Sequence, residues 1–159
     1  MRGTDRVSGT DSVSGTDSMK YIFEQIGTHN GHPVLYTEPA AMGLIRTRAD
    51  FTGFCALINQ YIDRKWYWII NCRAMGLQHI LDIQFVFRLY KLIKRRHANS
   101  MVQMWLFNLN PFCHKMLVFL PEPRARHMPT DRLELLVTMQ QDKASHELTD
   151  YCLGLLKAS

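Results

Sequence analysis

At 159 residues, with 47% apolar and 21% charged content, the chain has the makeup of one soluble globular domain and is too short for two comfortable ones. No apolar run approaches the ~18 residues that suggest a membrane span, and the polar N-terminus lacks the apolar stretch of a secretory signal. The net charge of +5 is localised: Arg88, Lys91, Lys94, Arg95 and Arg96 share one stretch free of acids, with Arg124 and Arg126 as a smaller cluster. A patch of this kind selects an anionic partner, whether lipid head group, membrane surface or nucleic acid, unless it is simply a solvated helix face.

In chain order, residues 7–12 and 13–18 are the same hexamer, Val-Ser-Gly-Thr-Asp-Ser. Units of this polarity bury no core, so residues 1–18 are expected to form a disordered polar tail and residues 19–159 a single domain. Residues 20–26 read as a first strand and 33–37 as a second, with Asn30-Gly31 in the intervening turn as a hairpin signal. Asp50 is a candidate N-cap for a helix over 51–63, with Phe51, Phe54, Cys55, Ile58 and Ile62 on one stripe. The run from Trp66 to Cys72 has no polar alternation before Asn71, as expected of a strand covered on both faces.

A helix over 79–96 follows. Gln84, Arg88, Lys91 and Arg95 form one narrow polar stripe, while the rest is apolar over far more than the ~100° that one sheet face covers. This helix therefore needs cover on two sides, from the sheet and from a neighbouring helix, another subunit or a ligand. Residues 101–108 read as the next strand, 111–118 as one or two helical turns, and Pro121, Pro123 and Pro129 as a loop. The apolar stretch from residue 131 or 132 to 139 reads as a last strand, and 144–156 as a closing helix with Leu148, Tyr151, Cys152 and Leu155 on one face. Strand, helix and strand over 66–108 make a βαβ crossover. The fold class expected is α/β, a mostly parallel sheet with flanking helices.

The four cysteines are widely spaced inside apolar or amphipathic segments, a pattern of reduced core thiols rather than a disulfide framework. The nearest approach to a metal motif, His29-x-x-His32, lies at a turn without partners nearby, and no metal is expected. There is no nucleophile elbow, P-loop, GxGxxG or metalloprotease helix. Cys113 and His114 are adjacent, and adjacent side chains do not face each other as a dyad. An enzyme is not expected, and neither is a cofactor.

The strand ends carry a family resemblance. Asn30-Gly31-His32-Pro33-Val34-Leu35-Tyr36 matches the opening turn and strand. Asn71-Cys72-Arg73-Ala74-Met75 matches an Asp/Asn-Cys-x-Gly/Ala-Met motif at the end of a central strand, and a long helix follows. Asn108-Leu109-Asn110-Pro111-Phe112 is similar to an Asn-x-Pro motif with one extra residue, and Val118-Phe119-Leu120-Pro121 precedes the basic residues Arg124 and Arg126. Over roughly residues 21–128 the chain resembles a short, divergent CRAL-TRIO lipid-binding domain. STAS domains share a related strand–helix architecture. The resemblance implies a hydrophobic or phospholipid ligand in a crevice outside the strand ends, where Arg73 meets a phosphate, Asn108 sits at the neighbouring strand end, and Met75, Met101, Met104 and Phe112 line an acyl-chain pocket. Alternatively, Asn71 and Asn108 satisfy backbone groups in tight turns, and the methionines are plain core packing.

Two functions follow. One is a non-enzymatic lipid-binding module, cytoplasmic and peripheral to membranes, that meets anionic bilayers through Arg88, Lys91, Lys94, Arg95 and Arg96. The other is a protein-interaction module of the small-GTPase-regulator type, its cavity closed because 112–118 is too short for the family's gate helix. Nucleic acid is not expected, since no nucleic-acid motif accompanies the basic helix.

Overall fold

The computed structural model of the chain describes residues 23–37, 47–73 and 83–156. The expected tail over 1–18, the beginning of the expected first strand, Met75 and the beginning of the expected helix 79–96 lie outside the described residues.

A hairpin of β1 (Glu24–His29) and β2 (His32–Thr37) comes first, with His29 paired to His32. Its two-residue turn puts Asn30 at φ 54° and Gly31 at φ 79°. Asn and Gly tolerate this left-handed pair, and the mirror-image turn matches the twist of the strands it joins. Because the loop is only two residues long, β1 runs on to His29 rather than ending at 26.

Helix α1 (Arg48–Asn59) is capped by Thr47, not by Asp50 as expected. Thr47 Oγ1 accepts from the Asp50 N–H at 3.1 Å, while an Asp50 carboxylate oxygen accepts from the Thr47 N–H at 3.0 Å. Asp50 is thus the third-position half of a reciprocal capping box. The remaining elements are β3 (Trp66–Asn71), α2 (Ile83–Arg96), β4 (Met101–Phe107), α3 (Pro111–Phe119), β5 (Ala125–His127), α4 (Arg132–Gln141) and α5 (His146–Leu155).

The five strands lie in sheet order β1-β2-β3-β4-β5, antiparallel only between β1 and β2. The expected α/β class, with a mostly parallel sheet, is what forms. Each crossover steps to the next position in one direction, and crossovers of constant hand then place their helices on one face. On that face Leu35, Trp66, Trp68 and Met101 pack with Phe51, Phe54 and Ile58 of α1 and Ile93 of α2. On the other face Tyr36, Tyr67, Ile69, Trp105 and Phe107 pack with Leu135 and Met139 of α4 and Leu148 and Cys152 of α5. Burial on both sides accounts for the unbroken apolar run of β3. A register irregularity after Trp66 lets Met101 face one core while Trp105 and Phe107 face the other.

Two readings are corrected. Residues 132–141 are a helix, not a last strand: Asp131 caps it by accepting from the Glu134 N–H at 3.0 Å, and Leu135 and Met139, one turn apart, are its buried residues. The apolar run misleads because Leu133 and Val137, which alternate with the core positions, are exposed. The region read as a proline-rich loop also contains β5, a short edge strand paired to β4 between Pro123 and Pro129.

Candidate functional site

Parallel strands β3 and β4 end side by side, and the segments after them supply most of the residues singled out by sequence. Asn71 is the last residue of β3. Its Oδ1 accepts from the Arg73 N–H at 3.3 Å and from Asn108 Nδ2 at 3.1 Å. Asn108, just past β4, has φ 56°, and its Nδ2 also donates to the Leu155 carbonyl at 2.9 Å. The two asparagines thus satisfy turn backbone, one another, and a carbonyl in the last turn of α5. Arg73 is exposed beside them.

Asn110 is the N-cap of α3, accepting from the Cys113 N–H at 2.9 Å, and Pro111 takes the first helical position. Asn110 Nδ2 donates back to the Cys72 carbonyl at 2.6 Å. Phe112 is the second residue of α3, and its side chain lies outside the described residues. Of the methionines read as an acyl-chain lining, Met101 is buried in the α1–α2 core and Met104 packs against that core and the neighbouring cluster.

Cys72 and Cys113 meet here with Leu106 in a small buried cluster, neither of them in a disulfide. Sequence reading treats these two as unrelated core cysteines. The signal for their meeting is that each follows one of two neighbouring parallel strands. They hydrogen-bond to each other, an interaction that raises the Cys72 thiol, with burial acting the same way. The same bond holds Cys113 below the ordinary thiol value against the opposing effect of burial, helped by a backbone hydrogen bond from Asn110. Among the described residues no group of three or more His, Cys, Asp or Glu side chains converges as a metal site.

The basic residues divide into two kinds. Arg88, Lys91, Lys94, Arg95 and Arg96 are all exposed on α2. Among the described residues no carboxylate forms an ion pair with any of the five. Arg124 and Arg126, read as a second anion-attracting cluster, are engaged instead. Arg124 forks onto Glu122 at 2.8 and 2.9 Å and donates to the carbonyls of His97, Ala98 and Met101, where α2 ends and β4 begins. Burial opposes the ionised Glu122 carboxylate, but the hydrogen bonds and charge of Arg124 outweigh it and hold the group below its ordinary value. Arg126 pairs with Asp142 at 2.6 Å.

One side of α2 is covered as expected, by the core it shares with the sheet and α1 through Leu89, Leu92 and Ile93. Tyr90 Oη donates to the Pro121 carbonyl at 2.8 Å, and the side chains of 83–86 lie outside the described residues. Phe87, one turn before Tyr90, stays 46% exposed, and Val118 and Phe119 at the end of α3 are 78% and 75% exposed. No helix among the described residues is long and apolar enough to cross a membrane. No family model matches the chain, and no curated protein matches it with significant similarity.

Proposed function

We propose that the chain is a non-catalytic lipid-binding module of CRAL-TRIO type that docks on anionic phospholipid surfaces through α2. The observation that carries this reading is the set of exposed cations Arg88, Lys91, Lys94, Arg95 and Arg96 on α2, with exposed Phe87 on the same helix and exposed Val118 and Phe119 at the end of α3. Cations with an apolar neighbour suit a bilayer interface, where head groups take the charges and the acyl boundary takes the side chains. At roughly 1 kcal/mol per cation near an anionic leaflet, plus partial burial of three apolar groups, the surface reaches reversible, salt-sensitive binding. Protein docking on the same surface, by a small GTPase or its regulator, is the competing reading.

The test is co-sedimentation with phosphatidylcholine vesicles made with and without phosphatidylserine. Binding is expected only with phosphatidylserine, weakening as salt rises. The combined substitution Arg88→Glu, Lys91→Glu and Arg95→Glu should abolish it while leaving thermal unfolding within about 0.5 kcal/mol, because all three side chains are exposed. Equal sedimentation with both vesicle types, or with neither, sinks the proposal.

A further inference from the structure

Cys72 and Cys113 have no part in that docking surface, and their setting is specific. Each is nearly closed to solvent, 2% and 6% exposed. One carboxamide ties their main chains together, Asn110 Nδ2 to the Cys72 carbonyl and Asn110 Oδ1 to the Cys113 N–H. Cys113 stands at the third position of the nine-residue α3, where the positive end of the helix dipole favours an anion. Cys72 Sγ has the opposite surroundings: it lies 3.8 Å from the Ile70 carbonyl oxygen and borders the Cys113 sulfur, neither of which stabilises a negative charge on it. The two thiols are therefore inequivalent partners, one suited to attack and one to remain protonated until needed.

We infer that Cys72 and Cys113 form a dithiol site that a small peroxide oxidises to an intramolecular disulfide, with Cys113 attacking first and Cys72 resolving. In the first step the Cys113 thiolate attacks one oxygen of hydrogen peroxide and the O–O bond breaks. Cys113 becomes a sulfenic acid, and the departing hydroxide takes up the proton given up by the Cys113 thiol to leave as water. In the second, the Cys72 sulfur attacks the Cys113 sulfur and the S–O bond breaks. Hydroxide leaves with the Cys72 proton as a second water. Two electrons pass from the pair of sulfurs to one peroxide, and a sulfur–sulfur bond remains. The low exposure of Cys113 favours a small uncharged oxidant over a bulky disulfide.

The remaining cysteines are internal controls. Cys152 is buried on the opposite face of the sheet, its thiol pushed up to about 12 by burial, and Cys55 lies half-buried on α1 with its thiol likewise raised by burial. Neither shares a buried cluster with another cysteine.

The experiment treats the folded full chain with hydrogen peroxide, alkylates the remaining thiols after denaturation, and maps a tryptic digest by mass spectrometry without reduction. Cleavage places Cys72 in the peptide 66–73 and Cys113 in the peptide 97–115. The expected product is these two peptides linked, two hydrogens lighter than their sum, with Cys55 and Cys152 alkylated and with dithiothreitol restoring both thiols. In Cys72→Ala, Cys113 should stop at a sulfenic acid trapped by dimedone. In Cys113→Ala, oxidation of Cys72 should slow at least about tenfold. The inference is overturned if Cys72 and Cys113 are recovered alkylated and unlinked, or if links form indiscriminately with Cys55 or Cys152. Mapping on the unsubstituted chain decides the disulfide even if a variant folds poorly. Unchanged Cys72 oxidation in a folded Cys113→Ala overturns the assigned order of attack.

Discussion

Asn108 donates its side-chain amide to Asn71 Oδ1 at 3.1 Å, bridging the ends of two neighbouring parallel strands from a left-handed backbone conformation. The same nitrogen reaches the Leu155 carbonyl, so one residue joins β3, β4 and the end of α5. Asn108→Ala loses both bonds and leaves a side chain at φ 56°, an expected cost of about 2–4 kcal/mol. Asn108→Gly loses the bonds but relieves the backbone, and should be roughly 1 kcal/mol less damaging. Urea unfolding measures both. Equal losses would show that the backbone conformation carries no strain.

Arg124 is the clasp between the end of α2 and the start of β4. Its partner Glu122 has a side chain only 6% exposed. Arg124→Met should destabilise the fold by roughly 3–5 kcal/mol, because it leaves a buried carboxylate uncompensated and strips the carbonyls of His97, Ala98 and Met101 of their donor. Adding Glu122→Gln should recover part of the loss. A single variant as stable as the parent in thermal unfolding would contradict the structural role.

Two buried histidines should make the fold acid-sensitive. His97 is held at about 4 by burial first and then by the charges of Arg96 and Arg124. Its ring lies 3.0 Å from Asn59 Oδ1 through Nε2 and 3.1 Å from Ser100 Oγ through Nδ1, a pattern both partners satisfy with the neutral ring protonated on Nε2. His29 is also lowered by burial, with Asp142 opposing. Between the unfolded value of 6.5 and the folded value, the unfolded chain binds protons that the folded chain does not. The histidine contribution to stability is therefore full above about 6.5, falls as pH drops through that window and levels off below it, with His97 worth on the order of 3 kcal/mol. Below the window, loss of the depressed Glu122 carboxylate carries the decline further. Chemical unfolding across this range should show the slope, and His97→Gln should flatten it. An unaltered slope in that variant would place the sensitivity elsewhere.

Lys143 follows α4 at φ 58° and is exposed. The Ala144 N–H bonds back to the Met139 carbonyl and the Lys143 N–H to the Gln140 carbonyl, both at 3.0 Å, the closing pattern that usually takes glycine at this position. Lys143→Gly should raise stability by about 0.5–1 kcal/mol, because relief of the left-handed conformation outweighs the added freedom of the unfolded chain. A lower melting temperature in this variant would contradict that balance.

Much of the fold was legible in local pattern. The unbroken apolar run of β3 called for a two-sided parallel sheet, Asn30-Gly31 for a tight hairpin, and the 3.6-residue period at Phe51, Phe54 and Ile58 for α1. The apolar run of 132–139 was not decisive, because short runs of this kind suit a buried strand and a half-buried helix equally. The Asp131 cap three residues before Glu134 was the overlooked local sign. Arg124 and Arg126 were misjudged for another reason: charge on a sequence shows neither Glu122 folded back against Arg124 nor Asp142 brought to Arg126 from the end of α4.

By itself the sequence determined the β1–β2 hairpin, the helices α1 and α2, the parallel sheet and the acid-free stretch of cations on α2, because turn chemistry and hydrophobic period act within a few residues. Tertiary structure alone decided which arginines stay exposed and which are clasped, that Asn71 meets Asn108, and that Cys72 meets Cys113. Those meetings depend on the crossover from β3 through α2 to β4, which sets the ends of these two strands side by side. Proximity created by a crossover leaves no periodic mark on the chain that makes it.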